Sequence, residues 1–224
     1  MGGAVTVRRV GEDALLLEVG SADQVASLYA LLTERRDTLP EITEIVPAAR
    51  TVLVDGVADR AALARELTRW SVPEHPPAEG PLIEVPTVYD GADLAEVAAR
   101  WGVSPAEAVR IHTAAEYRVA FCGFAPGFGY LTGLPDRYAV PRRATPRSSV
   151  PPGSVALAGP YTGVYPRSSP GGWQLVGRTA LRLWDTGREP AALLAPGVRV
   201  RFTAVSGAAD APGATQDAQG GAGA

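Results

Sequence analysis

The chain has 224 residues, of which 46% are apolar and 20% are charged, and its formal net charge is −3. This length allows one large domain or two small ones, of which two are favoured, and the composition is typical of a soluble globular protein. No apolar run approaches the ~20 residues that cross a bilayer, and the first residues form no signal core, so we expect a cytoplasmic protein.

Missing and rare residue types limit the chemistry further. All 21 basic residues are arginine, which excludes a P-loop lysine or a Schiff-base lysine within the chain. The single cysteine, Cys122, fits a buried strand and excludes an internal disulfide. Two histidines and one cysteine form no recognisable metal-ligand spacing, so we expect no bound metal.

The first 80 residues predict a small α/β domain. Its elements, in chain order, are a hairpin of Ala4–Arg8 and Ala14–Val19, a helix that begins after Ser21 and ends by Pro40, strands at Glu44–Pro47 and Thr51–Asp55, and a helix capped by Asp59. Ser21 and Gln24 have the spacing of a capping box. The alternation of strands and helices predicts a fold of split βαβ type.

Residues 81–206 predict a second domain, a β-rich barrel with two leading helices. The predicted elements are a strand at Leu82–Tyr89, helices at Leu94–Trp101 and Pro105–Thr113, and short strands that include Tyr117–Phe124, Val155–Ala158 and Gln174–Val176. A proline-rich linker that holds His75 precedes this domain. Residues 207–224 contain no apolar anchor and are predicted to be disordered. Glycine and proline recur every few residues from 112 to 179, which favours a compact barrel or sandwich.

The charge of this second domain is unusual. Between Tyr117 and Trp184 there are eight arginines and one acid, Asp136, which gives this segment a charge of +7 and leaves −10 for the rest. A local cationic surface on an acidic protein attracts anions, and arginine forks suit carboxylate or phosphate groups. The segment therefore predicts a site for a small anion or an acidic partner. Because the positive charge is confined to one segment, a nucleic-acid partner is not expected.

His112 is the only group of the central segment that titrates near neutral pH. The predicted helix places it in the last turn, where the helix dipole favours the protonated form. This position suits either proton transfer and anion binding or the capping of the last carbonyls of its own helix.

Two glycine-rich loops, at residues 124–131 and 168–174, suit places where the backbone approaches a ligand, and the alternative is that they are structural turns. The second loop offers hydroxyls and backbone N–H groups to an oxyanion. The candidate binding residues, which lie in or beside these loops, are Phe124, Gly127, Tyr130, Thr162, Tyr165, Gly171, Gly172 and Gln174. A proline-spaced loop between them carries Arg142, Arg143 and Arg147, and we expect one of these to bind an anion.

Several motifs in this domain follow one another in a specific order. They include His112 ahead of Glu116–Val119, Gly123-Phe124 with Pro126–Phe128, Gly133–Pro135, Pro141-Arg142 with Pro146-Arg147, Ser169–Trp173 and Gly177–Thr179. With these motifs, the run from Val85 to Phe202 resembles the KipI family, also called allophanate hydrolase subunit 1. That family includes the B-type subunits of bacterial ATP-dependent 5-oxoprolinases. The run Tyr89–Leu94 departs from the resemblance, since many relatives have a glycine-glutamate insertion there.

The resemblance implies an α+β chain, in which a cyclophilin-like β-barrel follows a small α/β domain. It implies a stable complex with a KipA-type protein, which is the C-type subunit, and with an A-type subunit (LamB/YcsF-like). The complex opens the lactam of 5-oxoproline to glutamate at the expense of ATP. No motif of this chain accounts for ATP binding, so the nucleotide is expected to be held by the complex.

Within that scheme the site residues have separate expected roles. Arg147 and Arg178 bind anions, His112 transfers a proton or stabilises charge, and Tyr130, Tyr165 and Gln174 orient the substrate. Two other functions within the same family stay open. One is carboxyl transfer in a biotin-dependent urea or amide carboxylase, and the other is inhibition of a histidine kinase through a protein surface.

Overall fold

The structure is a computed structural model, and it describes residues 4–74 and 80–207. The predictions for the linker histidine His75 and for the tail beyond residue 207 lie outside the described residues.

The N-terminal elements form a four-stranded sheet with two helices. They are β1 (Thr6–Val10), β2 (Ala14–Glu18), α1 (Ala22–Glu34), β3 (Glu44–Pro47), β4 (Thr51–Asp55) and α2 (Arg60–Leu67). The strand order is β1-β2-β4-β3, and all neighbours are antiparallel. β2 and β3 are therefore parallel to each other with β4 between them, so the predicted split βαβ arrangement is confirmed.

The sequence of α1 explains both its start and its buried face. The Ser21 hydroxyl accepts a hydrogen bond from the Gln24 backbone N–H at 3.2 Å, as predicted. The Gln24 side chain, however, accepts from the N–H of Gly20 at 2.7 Å, one residue before the expected partner. Leu28 and Leu32, four residues apart, are fully buried against the sheet, and they fix the orientation of the helix.

The remaining elements build a seven-stranded sheet with two helices and a small two-stranded ribbon. They are β5 (Leu82–Thr87), α3 (Leu94–Trp101), α4 (Pro105–Ala114), β6 (Tyr117–Cys122), β7 (Gly129–Thr132), β8 (Arg147–Val150), β9 (Ser154–Ala158), β10 (Tyr161–Val164), β11 (Ser169–Gly171), β12 (Gln174–Arg178) and β13 (Arg199–Ala204). The sheet order is β12-β9-β10-β7-β6-β13-β5, and β8 pairs with β11.

The large sheet closes almost completely into a barrel. Val88, just after β5, and Arg178, at the end of β12, exchange two backbone hydrogen bonds of 2.9 and 2.8 Å. Beyond this bridge the chain stays against β12, because Gly91 has no side chain; a Cβ there would lie 2.3 Å from the Val176 carbonyl carbon. The predicted α+β architecture with a barrel-like second unit is confirmed, and the bridge brings Asp93 to the side of β12.

Among the described residues, none of the helices has both the length and the apolar character that a membrane span requires.

Candidate functional site

A small open cleft at one side of the barrel collects most of the predicted binding residues. We call it the aromatic cleft, and it is lined by Phe124, Phe128, Tyr130, Arg142, Tyr165, Pro170, Gly171, Gly172 and Trp173. Its volume is about 70 Å³. Five of the eight predicted binding residues therefore lie together. A larger groove of about 530 Å³ between α1 and the barrel contains none of the predicted site residues.

The walls of the cleft are aromatic rings packed edge to face. The Phe128 ring contacts Tyr130, Tyr165 and Trp173 with centroid distances of 5.1 to 5.4 Å. This packing depends on Gly171, since a Cβ at that position would lie 2.3 Å from the Tyr165 hydroxyl oxygen. Gly171 thus allows the main chain to approach the Tyr165 side chain within the cleft wall, which is a structural role, and the predicted approach of this loop to a ligand stays a prediction.

Arg142 is the charged side chain of the aromatic cleft, and its backbone is held on both sides. The Gln174 side-chain amide donates to the Pro141 carbonyl at 3.2 Å, and the Arg143 backbone N–H donates to the Gly172 carbonyl at 2.7 Å. The Arg142 side chain itself is exposed and forms no ion pair within the described part of the chain. An arginine on a fixed backbone with a free guanidinium is suited to bind an anion.

The charge of Arg142 reaches the hydroxyl of Tyr165 inside the cleft. Burial raises the pKa of Tyr165 above its ordinary value, and the hydrogen bond from the Trp173 backbone and the positive charges of Arg142 and Arg147 offset only part of this rise. The Tyr165 hydroxyl therefore stays protonated at neutral pH. It lies in a positive field that would also attract a carboxylate or a phosphate.

Arg143 and Arg147 are held by one buried carboxylate. The Asp93 side chain is only 4% exposed. Its Oδ1 accepts hydrogen bonds from Arg143 Nη1 and from Arg147 Nη2, both at 2.8 Å, and its Oδ2 accepts from the Leu175 backbone N–H at 2.7 Å. The two arginines and the carboxylate leave one net positive charge beside the cleft.

The ionisation of Asp93 follows from these contacts. Burial would raise the pKa of this carboxyl group, but the hydrogen bonds from Arg147 and from the Leu175 backbone outweigh it. Together with the charges of Arg147 and Arg143, they lower the pKa of Asp93. Asp93 is therefore ionised at neutral pH and fixes the loop from 142 to 147 against β12. The sequence analysis missed Asp93, which stands at the position of a helix cap before α3, although its side chain makes no cap hydrogen bond.

Two predicted residues on the strands lie outside the cleft lining. Gln174 is 1% exposed and acts on the backbone beside Arg142, as described above. Thr162, on β10, is fully buried, and its hydroxyl lies beside the Tyr117 side chain in the barrel core. Gly127 is also buried, and it packs against the main chain and Cβ atoms of Leu183 and Trp184.

Arg178 does not join the other arginines. It lies at the far end of β12 from Gln174, and its Nε donates to Asp90 Oδ2 at 2.9 Å. Both side chains of this ion pair are about half exposed, at 57% and 49%. The expected anion-binding role of Arg178 therefore stays a prediction that the cleft geometry does not support.

His112 lies in the barrel core rather than in the cleft. It is 2% exposed, its Nδ1 lies 2.7 Å from the Tyr89 hydroxyl, and its ring packs against Tyr117 and Phe202. Burial lowers the pKa of His112 to about 3. Desolvation in the core outweighs the helix dipole that favours the protonated form, so the expected role of His112 in proton transfer or charge stabilisation stays a prediction that this buried position does not support.

Cys122 is half-buried, and its thiol lies 3.1 Å from the Leu194 carbonyl oxygen. Burial raises the pKa of this thiol to about 11, which agrees with the structural role predicted for it. Within residues 4–74 and 80–207 no group of three or more histidine, cysteine or acidic side chains is arranged to hold a metal ion.

Comparison with known proteins identifies the family of this chain. A family model described as the carboxyltransferase domain, subdomain C and D, matches residues 5–194. The B-type subunit of 5-oxoprolinase from Escherichia coli O157:H7 is 43% identical over 202 residues, which cover 86% of this chain and 93% of that protein. The protein of the same name from Haemophilus influenzae is 40% identical over 188 residues, or 81% of this chain and 88% of that protein.

A solved structure has the same fold over most of the chain. The crystal structure of TTHA0988 superposes with a TM-score of 0.73 at 34% identity, and the match covers 88% of this chain. This chain spans only 40% of the length of TTHA0988. The matches over most of the chain confirm the resemblance predicted from the motifs. This chain therefore belongs to the family of the carboxyltransferase domain, subdomains C and D, together with the B-type subunits of 5-oxoprolinase.

Proposed function

We propose that this chain is the B-type subunit of an ATP-dependent 5-oxoprolinase complex and that its aromatic cleft binds the lactam. In the overall reaction, 5-oxoproline, ATP and two water molecules give glutamate, ADP and phosphate. One water opens the ring and the other accounts for ATP hydrolysis. The names of the relatives support this proposal.

The chemistry explains why ATP is required. A lactam resists water because its C–N bond has partial double-bond character, and ring opening must break that resonance. Phosphorylation of the lactam oxygen removes the resonance and activates the carbonyl carbon. The protein then has to orient the ring and to stabilise negative charge on the oxygens, and fixed cations do this well in a site that excludes water.

The observation that carries the proposal is the combination of aromatic walls with Arg142 on a fixed backbone. 5-Oxoproline is a small, flat ring that carries one carboxylate. Aromatic rings such as Trp173 and Tyr130 suit the faces of such a ring, and the free guanidinium of Arg142 suits its carboxylate. The protonated Tyr165 hydroxyl is suited to donate a hydrogen bond to the lactam oxygen.

The remaining arginines have supporting roles in this proposal. Arg147 and Arg143 are bound to Asp93, so their first task is to hold the 142–147 loop. Buried nitrogens of both, Arg143 Nε and Arg147 Nη1, have no hydrogen-bond partner among the described residues. Because these two atoms are shielded from solvent, an anion in the cleft does not reach them, and Arg142 is the cation that the cleft offers to a ligand.

The nucleotide itself is assigned to the complex. The aromatic cleft holds about 70 Å³, well below the roughly 300–1,000 Å³ of sites for drug-sized ligands. The chain also has no lysine and no P-loop sequence. We therefore assign ATP binding to the C-type and A-type subunits, and lactam binding to this chain.

The test is ATP-dependent release of glutamate from 5-oxoproline. The three subunits are co-expressed and purified together, and glutamate and ADP are quantified in the complete complex and after omission of each subunit. We expect one glutamate per ADP, and no glutamate without this chain. A verified three-subunit complex that releases no glutamate with ATP would rule out the proposal.

The description of the matching family favours a second candidate, carboxyl transfer from biotin to urea or another amide. The same cationic cleft would then bind a carboxylated intermediate in place of the substrate carboxylate. This candidate predicts biotin-dependent ATP turnover with urea when a biotin carboxylase and a biotin carrier are supplied, and no turnover with 5-oxoproline.

A further inference from the structure

The larger groove, between α1 and the barrel, is separate from the aromatic cleft. Among the described residues, the groove and the cleft share no lining residue. The groove volume of about 530 Å³ lies within the range of roughly 300–1,000 Å³ that small-molecule sites have. We call it the α1 groove. Helix α1 forms one wall, and residues 118–120 of β6 and the turn at residues 195–198 form the other.

The helix wall is shaped by small side chains. Leu28 and Leu32 of α1 are fully buried against the N-terminal sheet. Ala26, Ala30 and Thr33 follow one another at helical spacing, so they share a second face of the helix, which lines the groove. Methyl groups fill less of the space between the helix and the barrel than longer side chains would, and this leaves the groove open.

Several polar groups of the walls are already used within the protein. The Thr33 hydroxyl donates to the Tyr29 carbonyl at 2.8 Å. The Val119 N–H donates to the Val198 carbonyl at 2.9 Å, and the Gly197 N–H donates to the Val119 carbonyl at 2.8 Å. A ligand with many polar groups, such as a nucleotide or a sugar, would lose hydrogen bonds to water here without replacing them. The groove therefore suits a ligand with an apolar body.

Arg118 places one cation in this apolar groove. Its side chain is half-buried, and its Nη1 donates to the Gly197 carbonyl at 3.1 Å. A Cβ added to Gly80 would lie 3.9 Å from the same nitrogen, so Gly80 and Gly197 both border the guanidinium. A guanidinium has five N–H groups, so donors remain for a ligand. The charge is therefore held in place and still able to bind.

Among the described residues, no acid lies within ion-pair distance of Arg118. In the neighbouring charge cluster, Glu116 accepts hydrogen bonds from Arg199 Nε and Nη2, both at 2.8 Å, and lies 3.7 Å from Arg201 Nη2. Glu34 also lines the groove, but it is exposed at the end of α1. The half-buried cation of the groove therefore lacks a counter-charge.

We propose that the α1 groove binds a small monocarboxylate with an apolar body. The carboxylate pairs with Arg118, and the carbon chain lies along the alanine face of α1. A single arginine fork matches the two oxygens and the single charge of a carboxylate. A phosphate dianion would meet one cation and the nearby Glu34, so it suits the groove less. The inference does not rest on the proposed function, because the groove and the lactam cleft are separate.

The test is titration calorimetry of octanoate into the full chain, without ATP or other subunits. We expect saturable binding of one octanoate per chain. Octanamide has the same carbon chain without the charge, and it should bind at least ten-fold more weakly because the charge-assisted hydrogen bonds are lost. Octanoate should also raise the melting temperature of the chain, since it binds the folded state. Absence of saturable octanoate binding would overturn the proposal.

The first variant removes the cation. Arg118→Gln should weaken octanoate binding at least ten-fold and leave octanamide binding unchanged. Arg60→Gln is the matched control, because Arg60 Nη1 likewise donates to a glycine carbonyl, that of Gly11, at 3.1 Å, and Arg60 lies outside the groove lining. It should bind octanoate as wild type does. If Arg118→Gln also binds octanoate with wild-type affinity, Arg118 does not hold the carboxylate and the proposal is wrong.

The second variant fills the groove and leaves Arg118 in place. Ala30→Trp puts a large ring on the helix wall and should abolish octanoate binding. Ala99→Trp, at an exposed alanine of α3, is its control and should bind normally. Melting temperatures without ligand check that both variants fold. Wild-type binding by a folded Ala30→Trp would place the ligand elsewhere and overturn the proposal.

A comparison of two ligands tests the class of molecule. Leucine and 4-methylpentanoate have the same carbon skeleton, and leucine adds an ammonium group. We expect leucine to bind more weakly, because its ammonium group would lose water in an apolar groove. Tighter binding of leucine, reversed by Glu34→Gln, would make the groove an amino-acid site and overturn the assignment to monocarboxylates. Glutamate release by the complete complex plays no part in these measurements, so this proposal and the proposed function fail independently.

Discussion

Asp93 and Arg147 are 54 residues apart in the sequence, and Oδ1 of the first accepts a hydrogen bond from Nη2 of the second at 2.8 Å. The carboxylate is buried, and the guanidinium is about one fifth exposed. Arg143 shares the same oxygen atom. This cluster connects the start of α3 to the loop that presents Arg142, so the position of the cleft cation depends on a residue that is not in the cleft.

The first prediction concerns this buried carboxylate. Asp93→Asn keeps the shape of the side chain but leaves two partly buried guanidiniums without their counter-charge, and we expect a loss of stability of about 3 kcal/mol. Asp90→Asn is the matched control, because Asp90 pairs with Arg178 at a half-exposed site and should cost less than about 1 kcal/mol. Urea unfolding at pH 7 measures both. Equal losses for the two variants would contradict the assigned importance of Asp93.

Asp93 also contributes to acid stability in a defined direction. Because its pKa is lower in the folded chain than the ordinary value of 3.8, its contribution is complete above that value. The contribution disappears only as the pH falls through the lower folded pKa. The difference in stability between wild type and Asp93→Asn should therefore be constant from pH 5 to pH 8 and shrink below about pH 4.

The sequence predicted the elements well where the signal was local. Glu44–Pro47, Thr51–Asp55 and Leu94–Trp101 were predicted with the bounds that the structure has. Helix caps, prolines and apolar periodicity act within a few residues, so a single sequence is enough to predict the elements that they define. Five of the predicted binding residues also came together in the cleft, four of them from the two glycine-rich loops and Tyr165 from beside the second loop, since glycine next to aromatic residues marks close approach of the backbone.

The sequence did not predict which charges pair. Asp93 reads locally as a helix cap, whereas its partners lie 50 and 54 residues away. In the sequence, neither Arg178 nor Arg142 has an obvious ion-pair partner, but closure of the barrel places Arg178 beside Asp90. The sequence predicted correctly that His112 lies in the last turn of α4. The burial of its ring, however, results from the packing of α4 against the barrel. Such outcomes depend on tertiary packing, and local patterns do not contain it.

The second prediction concerns His112, which must gain a proton when the chain unfolds in acid. Its pKa is about 3 in the folded chain because of burial, against 6.5 in its ordinary state. Unfolding therefore takes up a proton between these values, and stability should fall by about 1.4 kcal/mol per pH unit as the pH drops below about 6. Its neighbours Tyr89 and Tyr117 stay neutral throughout, because burial raises the pKa of both.

The measurement is urea unfolding between pH 7 and pH 4 for wild type and His112→Leu. The variant loses the hydrogen bond to Tyr89 and should be less stable at pH 7. Between pH 6 and pH 4, however, it should take up about one proton fewer than wild type on unfolding, so its free energy of unfolding should fall less steeply with decreasing pH. An equal pH dependence in both proteins would show that His112 is not buried in its neutral form.

The third prediction separates the arginines by function. Arg142→Ala should lower kcat/KM of the reconstituted complex for 5-oxoproline by about 10- to 100-fold, the value of a charge-assisted hydrogen bond, mainly through a higher KM. Arg178→Ala, which removes an exposed ion pair outside the cleft, should change kcat/KM less than about two-fold. Steady-state kinetics with saturating ATP measures both. The reverse order of effects would return the anion-binding role to Arg178.

The last prediction concerns two neighbouring glycines that differ only in what surrounds them. A Cβ at Gly171 would lie 2.3 Å from the Tyr165 hydroxyl oxygen and 2.9 Å from its Cζ, so Gly171→Ala must displace a buried ring. A Cβ at Gly172 would have its nearest neighbours at 3.7 Å, an ordinary contact. We expect Gly171→Ala to cost roughly 2 kcal/mol of stability and Gly172→Ala to cost little. Thermal unfolding of the two variants measures the difference, and equal melting temperatures would mean that Tyr165 does not occupy the position that forms the cleft wall.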